Sequence, residues 1–206
     1  MWYFPEQDLR TDLLEPSATT THCPFKGDAA YWTLRVGEDV RPDLLWGYDQ
    51  PVPGAPPLAG HRAFFFDRVD TWMEEDEEVA VHPRDPYHRV DVLASTRHVV
   101  LQLDGQVVAE SRQPLVLFET GLPTRYYLPR ADVRAEVLRD SDTTTGCPYK
   151  GTARYHDVVL DGTAHDDLVW HYPEPFAEVG RIADHLCFYD ERLDLVVDGQ
   201  RQPASS

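Results

Sequence analysis

The stretch TTTHCPFKG, residues 19–27, returns as TTTGCPYKG at residues 143–151, and this repetition organises the chain. Sliding the sequence by 124 residues aligns 2–70 with 126–194 without a gap, and 25 of the 69 aligned pairs are identical. Self-similarity at a fixed period is the signature of repeated structural units. The sequence therefore predicts a tandem duplication.

Each copy of the motif carries one lysine, and Lys26 and Lys150 are the only lysines among 19 basic residues. Unlike a guanidinium, a lysine amine can lose its proton when desolvated and can then act as base or nucleophile. As an ammonium it is a compact charge for a carboxylate or phosphate. Two interpretations stay open: Lys150 contacts a ligand, or its stem packs beneath the turn and its amine binds carbonyl groups.

Most of the remaining chain has the pattern of short strands, rich in Val, Tyr, Phe and Trp and bounded by Asp, Gly and Pro. Residues 5–14 and 130–139 alone indicate short helical turns after a proline. Residues 98–122 predict a hairpin and a third strand. The first copy begins opposite Arg125 and lacks these strands. We expect a mainly β protein of two tandem modules, the first without its N-terminal strands.

The expected boundaries follow from the repeat. Residues 1–78 form the first, incomplete module and 97–206 the second, complete one, with a connector strap over 79–96. Within the connector, VAV and RVDVL are candidate strands that would complete the first module. The acidic run EEDEE, 74–78, is predicted to be a solvated segment that discourages association.

Composition narrows the possible partners. The formal net charge of −17 argues against nucleic acid and anionic membranes, which require a positive surface. No apolar run is long enough to span a membrane, and the first residues do not have the pattern of a signal peptide. Three cysteines do not make a disulfide framework, so we expect a cytoplasmic protein, monomeric or homodimeric.

Several motifs together carry a family resemblance: Tyr-Tyr-x-Pro-x-x-Asp-Val from residue 126, Thr-x-Cys-Pro-Tyr-Lys-Gly from 145, and Trp-x-Tyr from 170. With Ile-Ala and Phe-Tyr further on, nearly the whole chain resembles the domain of unknown function 427 family. The connector resembles the link between modules in tandem bacterial members. The resemblance implies a small coiled-sheet β-tent fold, shared with methionine-sulfoxide reductases and the cereblon-type ligand domain, and a cavity, but no established activity.

The resemblance also raises the question of metal. Related tent folds hold zinc with two Cys-x-x-Cys pairs, and that spacing is absent here. Each copy offers one motif cysteine, Cys23 or Cys147, with His22 beside the first alone. Four-coordinate structural zinc needs more thiolate or imidazole ligands than this. We expect no structural metal and no cofactor.

Candidate catalytic groups gather around the second motif. Lys150 is the candidate amine or electrostatic group, and Glu119, at the end of the apolar VLVLF strand, the candidate general base. Tyr127 and Tyr155 are candidate proton donors. A nearby ammonium would make Cys147 a reactive thiol, although a small buried hydrophobe is the competing interpretation.

Candidate ligand-binding residues complete the expected cleft: Thr145, Trp170, Tyr172, His185 and Lys26. For each of the aromatic residues the alternative is ordinary core, and for His185 a structural hydrogen bond. His156 and His171 have no counterpart in the first copy and are either specific to the second site or surface residues. The segment His82 to Arg89 is interpreted as a rigid strap because it holds two prolines.

The sequence leaves more than one function open. The leading hypothesis is a cleft for a small anionic or carbonyl-bearing metabolite, with cofactor-free acid–base or covalent chemistry if the protein is an enzyme. The alternative is a non-catalytic module that binds a protein or peptide. Thiol redox chemistry is a weaker option that rests on fold analogy, and no resolving cysteine is evident near Cys147.

Overall fold

A computed structural model describes residues 2–79, 81–82 and 84–204. The chain divides into two compact units, Met1–Pro83 and Arg84–Ser206. All strand pairings within both units are antiparallel, and the helical segments in the described residues are short 3-10 turns. The predicted mainly β class is confirmed. None of these helical turns is long and apolar enough to cross a membrane.

The first unit contains one five-stranded sheet with the strand order β1-β5-β4-β3-β2, and a separate two-stranded hairpin, β6-β7. Its strands are β1 Phe4–Pro5, β2 Leu14–Cys23, β3 Gly27–Val36, β4 Asp39–Gly47, β5 His61–Phe64, β6 Met73–Glu74 and β7 Glu77–Glu78. Its 3-10 turns are Glu6–Asp8, Thr11–Leu13 and Phe66–Arg68.

The second unit contains a seven-stranded sheet, β13-β14-β15-β16-β12-β11-β8, and a four-stranded sheet, β10-β9-β17-β18. Its strands are β8 Val90–Ala94, β9 Val99–Leu103, β10 Gln106–Ser111, β11 Leu115–Glu119, β12 Arg125–Pro129, β13 Leu138–Cys147, β14 Gly151–Leu160, β15 Thr163–His171, β16 His185–Phe188, β17 Asp194–Val197 and β18 Gln200–Arg201. Its 3-10 turns are Arg130–Asp132, Ala135–Val137 and Ala177–Ile182.

The two units share local detail at the 124-residue spacing. Strands β2 and β5 have the same bounds as β13 and β16 once shifted, and the first hairpin of each sheet has its register irregularity at equivalent residues, Pro16/Thr20 and Asp140/Thr144. The helical turns predicted within 5–14 and 130–139 are two successive 3-10 turns in each segment, and the second of each pair ends where the long strand begins.

Two cores lie on opposite faces of the seven-stranded sheet. On one face, Leu128 and Leu186 pack against Val99 and Val108 of the four-stranded sheet. On the other face the core combines three tyrosines and a tryptophan with aliphatic side chains. Successive residues of a strand point to opposite faces, so neighbours such as Tyr127 and Leu128 serve different cores.

The first unit has no counterpart of the four-stranded sheet in its described residues, and Trp72 covers the corresponding face. The Trp72 ring lies 5.0 to 6.0 Å, centroid to centroid, from four aromatic rings, and its Nε1 donates a hydrogen bond to the Phe66 carbonyl at 2.9 Å. The four rings belong to Trp2, Phe4, Phe64 and Phe66. A large aromatic side chain thus replaces the apolar cover of a whole hairpin.

The connector does not complete the first unit as expected. The RVDVL segment forms β8, which pairs with β11 in the second unit, with Val92 opposite Leu117. The physical reason is that β11 is an apolar strand with β12 on one edge, so its other edge needs a partner. Of the VAV segment, residue 80 lies outside the described residues, and Val79 donates its backbone N–H to the Trp72 carbonyl at 2.8 Å.

Candidate active site

The repeated motif forms the turn that positions Lys150. Strand β13 ends at Cys147, and the Lys150 N–H donates to the Cys147 carbonyl at 3.3 Å. The Lys150 carbonyl accepts a hydrogen bond from the Phe176 N–H at 3.2 Å. Gly151 follows with φ of +101°, a conformation that favours glycine, and begins β14. Pro148 and Gly151 therefore fix a tight turn from which the Lys150 side chain enters the interior.

The threonines of the motif bind protein groups. Thr143 Oγ1 donates to Asp167 Oδ2 at 2.8 Å, and Thr145 Oγ1 lies 2.9 Å from the Tyr155 hydroxyl. The first unit repeats both bonds, Thr19 to Asp43 at 2.7 Å and Thr21 to Tyr31 at 2.9 Å. Thr145 is predicted to contact a ligand, and in the structure it positions the hydroxyl group of Tyr155, which is itself a predicted site residue.

Beside this turn lies a cavity of about 200 Å³. Its wall combines a lysine, a glutamate and an arginine with five aromatic side chains that carry a polar tip. The lining residues are Leu117, Glu119, Leu122, Pro123, Arg125, Tyr127, Lys150, Tyr155, Trp170, Tyr172 and Tyr189. Six of them, including both predicted principal groups, are residues that the sequence had singled out.

A buried ion pair is the main electrostatic feature of this cavity. Lys150 Nζ donates to Glu119 Oε2, and the two side chains are 9% and 7% exposed. The other carboxylate oxygen, Glu119 Oε1, lies 3.0 Å from His88 Nε2. The His88 ring stacks on Tyr149, with ring centroids 4.0 Å apart. Glu119 thus connects an ammonium inside the cavity with an imidazole on the strap.

Three tyrosine hydroxyls of the cavity, those of Tyr127, Tyr172 and Tyr189, hold their protons strongly. Trp170 Nε1 donates to the Tyr127 hydroxyl at 3.1 Å, and burial raises the pKa of Tyr127 well above its usual range. Burial likewise raises the pKa of Tyr172, and burial with a hydrogen bond to Tyr155 raises the pKa of Tyr189 to about 12. Protonated hydroxyls at neutral pH are hydrogen-bond donors for a ligand oxygen.

Arg125 adds a second cation whose charge is already compensated. Its guanidinium binds the carboxylates of Asp190 and Glu191, and it lies 5.5 Å from the centre of the Trp170 ring. The cavity therefore contains two paired cations. An anionic ligand would therefore have to compete with a protein carboxylate for either cation.

Four predicted residues do not line the cavity: Thr145, described above, and Cys147, His185 and Lys26. Cys147 packs beside the aromatic core, half-buried, without lining the cavity. His185 Nδ1 lies 2.7 Å from the Ala183 carbonyl, and its counterpart His61 makes the same contact with Ala59 at 3.1 Å, which is a structural arrangement. Lys26 belongs to the first unit.

Three functional candidates were missed by the sequence reasoning. Arg125 lies opposite the first residue of the chain, so the repeat gave no comparison for it. Tyr189 corresponds to Phe65 in the repeat. The additional hydroxyl group at this position of the second copy is a sequence difference that could have marked Tyr189 as a candidate. His88 was assigned to the strap on the strength of its neighbouring prolines, and its contact with Glu119 depends on long-range folding.

The first unit repeats the turn, but its lysine, Lys26, contacts tyrosines rather than a carboxylate. Lys26 Nζ donates to the Tyr3 hydroxyl at 3.3 Å and lies 5.4 and 5.8 Å from the ring centres of Tyr3 and Tyr48. The hydrogen bond from Lys26 to Tyr3 raises the pKa of Lys26. Within the described part of the chain, no carboxylate forms an ion pair with it. In the second unit the carboxylate comes from β11, and the described residues of the first unit contain no equivalent of that strand.

His156 and His171 lie on the other face of the sheet. Tyr155 and Trp170 line the cavity, so the residues that follow them in β14 and β15 point away from it. Their rings stack with centroids 5.0 Å apart. Burial, with the neighbouring His156, Arg130 and Arg154, lowers the pKa of His171 to about 4 against the opposing effect of Asp140.

A pH dependence of stability follows from His171. The unfolded chain protonates this ring near pH 6.5, whereas the folded protein does so near pH 4, so stability present above pH 6.5 is lost towards pH 4. After discounting for solvent screening, we expect about 1–2 kcal/mol. Urea unfolding at pH 7.5 and 4.5 measures the loss. It should shrink in His171→Asn and persist in His22→Asn, whose ring is exposed; equal losses in all three proteins would contradict the assignment.

No cluster of three or more His, Cys, Asp or Glu residues within the described ranges is arranged to hold a metal ion. The residues of the cavity define the class of site: a tyrosine-walled pocket around a buried lysine–carboxylate pair, in an antiparallel β protein of two similar units. A family model described as "Domain of unknown function (DUF427)" matches residues 1–75 and 91–199, and the chain belongs to this family. No curated protein matches the chain closely.

Proposed function

We propose that the second unit binds a small carbonyl-bearing metabolite and is equipped for proton transfer without a cofactor. The observation that carries this proposal is the buried Lys150–Glu119 pair on the wall of an aromatic cavity. A buried pair of this kind costs desolvation energy and is weak support for stability, so a chemical role is the better reason for its presence. The volume, about 200 Å³, suits a ligand smaller than a typical drug.

The charge balance favours a neutral carbonyl over a free anion. Lys150 is paired with Glu119, and Arg125 with Asp190 and Glu191. An anion would have to compete with these carboxylates. A carbonyl oxygen, in contrast, can accept an additional hydrogen bond from the Lys150 ammonium, which has three N–H donors, while the ion pair stays intact.

The same groups support abstraction of a proton next to that carbonyl. Glu119 takes the proton from the adjacent carbon, the electron pair of the C–H bond forms a C=C bond, the π pair of the C=O bond moves to oxygen, and Lys150 stabilises the resulting enolate. In a substrate whose enolate extends over a neighbouring double bond, return of the proton from Glu119 to the far carbon of that system completes an isomerisation, so protons and electrons balance. Tyr127 or Tyr155 is the further hydroxyl donor to the enolate oxygen.

A non-catalytic peptide-binding role is the second candidate, and one observation favours it for the first unit. Phe25 is 80% exposed, whereas its counterpart Tyr149 is stacked against His88. An exposed aromatic residue beside a repeated turn is a common feature of protein-binding surfaces. Chemical labelling separates the two roles, because a hyper-reactive Lys150 supports an active site and two equally inert lysines support a structural or binding role.

Calorimetric titration with acetophenone and benzoate tests the leading proposal. We expect acetophenone to bind more tightly than benzoate, and Lys150→Met to weaken acetophenone binding by at least tenfold, about 1.4 kcal/mol. Lys26→Met is the matched control, since it removes the equivalent lysine of the first unit. Tyr155→Phe keeps the ion pair and should weaken binding less. Undiminished binding of acetophenone by a folded Lys150→Met protein would overturn the proposal.

A further inference from the structure

Four basic side chains gather on the sheet face that points away from the cavity. His156 and His171 stack as described, and Arg130 Nη2 lies 3.5 Å from His156 Nε2. Arg154 is the cross-strand partner of His171 and lies two residues before His156 on the same face of β14. We call Arg130, Arg154, His156 and His171 the basic cluster.

The charges of the basic cluster are poorly compensated for so acidic a chain. Ten arginines form ion pairs with carboxylates in the described ranges: Arg10, Arg35, Arg41, Arg62, Arg84, Arg89, Arg125, Arg134, Arg139 and Arg201. Seven arginines form none there, and Arg130 and Arg154 are the two of these that lie beside the stacked histidines. The carboxylate that forms an ion pair with the cluster in the described ranges is Asp140, 3.0 Å from His156 Nδ1, and its side chain is 95% exposed. The Asp140 side chain lies at the edge of the basic cluster and can rotate away from it towards the solvent.

The equivalent positions of the first unit have different chemistry. They hold Glu6, Ala30, Trp32 and Gly47, at the same 124-residue spacing. There the Arg62 guanidinium lies 3.9 Å from the centre of the Trp32 ring and forms ion pairs with Glu6 and Asp49. The first unit therefore neutralises its arginine at this place, whereas no carboxylate in the described part of the second unit forms an ion pair with Arg130 or Arg154.

We propose that the basic cluster binds a small tetrahedral oxyanion, a phosphate ion or the phosphate group of a monoester. Guanidinium groups present paired N–H donors that match two phosphate oxygens, and imidazoles supply further N–H donors. The ring of His156 is buried and that of His171 half-buried, whereas Arg130 and Arg154 are exposed, so the two rings lie below two charged side chains at the surface. This site is distinct from the cavity and does not depend on the function proposed for it.

Anion binding at this place couples to protonation. The groups that face His171 are His156, Arg130, Arg154 and Asp140, and those around His156 also include Asp157. The two arginines disfavour imidazolium, and a bound dianion would remove that effect. The pKa of His171 therefore rises when the anion binds, and titration of the free and the phosphate-saturated protein measures this rise.

Proton NMR of the histidine rings tests the proposal, with inorganic phosphate and glycerol phosphate as probes at constant ionic strength. We expect saturable shifts of the His156 and His171 resonances and a rise of at least one unit in the pKa of His171. A response to inorganic phosphate alone identifies the ion as the ligand, and tighter binding of glycerol phosphate identifies a monoester. Acetate, a monovalent carboxylate, should act at least tenfold more weakly.

Variants locate the binding to these residues. Arg130→Gln and Arg154→Gln should each weaken phosphate binding about tenfold, and Arg112→Gln, which removes an exposed charge elsewhere in the same unit, should not. Asp140→Asn should strengthen binding by removing the opposing carboxylate. Shifts that grow linearly without saturation, or that are equal in the parent, Arg154→Gln and Arg112→Gln proteins, would overturn the proposal. Because the two arginines are exposed, their replacement should leave folding intact.

Discussion

Replacing Glu119 with glutamine is expected to lower the free energy of unfolding by about 3 kcal/mol, because it leaves the Lys150 ammonium buried without its counter-charge. Lys150→Met should cost a similar amount, since Glu119 then keeps only His88 as a partner. Removing both charges, as in the Glu119→Gln/Lys150→Met double variant, should restore most of the loss. Urea unfolding of all four proteins measures the coupling between the two residues.

Lys26→Met provides the internal control for this cycle. Lys26 forms a hydrogen bond with Tyr3 and lies near two aromatic rings, without an ion pair among the described residues. Its removal should cost about 1 kcal/mol. Equal losses of unfolding free energy in Lys26→Met and Lys150→Met would contradict the prediction. So would a loss in the Glu119→Gln/Lys150→Met double variant that equals the sum of the losses in the two single variants.

Replacing Gly151 with alanine is expected to cost about 2–4 kcal/mol, from two independent sources. The backbone at Gly151 has φ of +101°, which disfavours any residue with a Cβ. An added Cβ would also lie 3.1 Å from the Glu174 carbonyl oxygen, closer than ordinary contact. Since Gly151 ends the turn that directs Lys150 into the cavity, binding of a cavity ligand should weaken as well.

Gly162→Ala separates these two sources. Gly162 has a similar positive φ of +84° in the turn between β14 and β15, and an added Cβ there would meet no atom within 4 Å. It should cost about 1 kcal/mol, the conformational part alone. Thermal unfolding of both variants provides the comparison. Equal losses would show that the approach of Glu174 is unimportant.

Much of this fold could be predicted from the repeat and the strand pattern. The period of 124 residues placed the motif turns, and the alternation within 98–122 predicted strands β9, β10 and β11. Glu119 was placed at the end of an apolar strand, and its pairing with Lys150 follows from the position of β11 in the sheet. These features depend on local pattern or on simple strand order.

Other features depend on the pairing of strands that are distant in the chain, and a single sequence does not show which strands pair. The RVDVL segment has the same strand pattern whichever sheet it joins, and its choice of β11 depends on an edge formed by residues much further along the chain. His88 follows from that choice, since β8 brings the strap to Glu119. The basic cluster combines residues from two strands and a 3-10 turn, so no local motif marks it.

The pairing of β8 with β11 has a consequence for any attempt to divide the protein. A fragment that begins at residue 97, where the repeat suggests a boundary, would lose both β8 and His88 and would expose the apolar edge of Leu115–Glu119. Such an open edge invites pairing with other chains and aggregation. A fragment that begins at residue 84 keeps them. The sequence repeat and the compact unit thus have different limits, because the segment between the two repeats contributes a strand to the second unit.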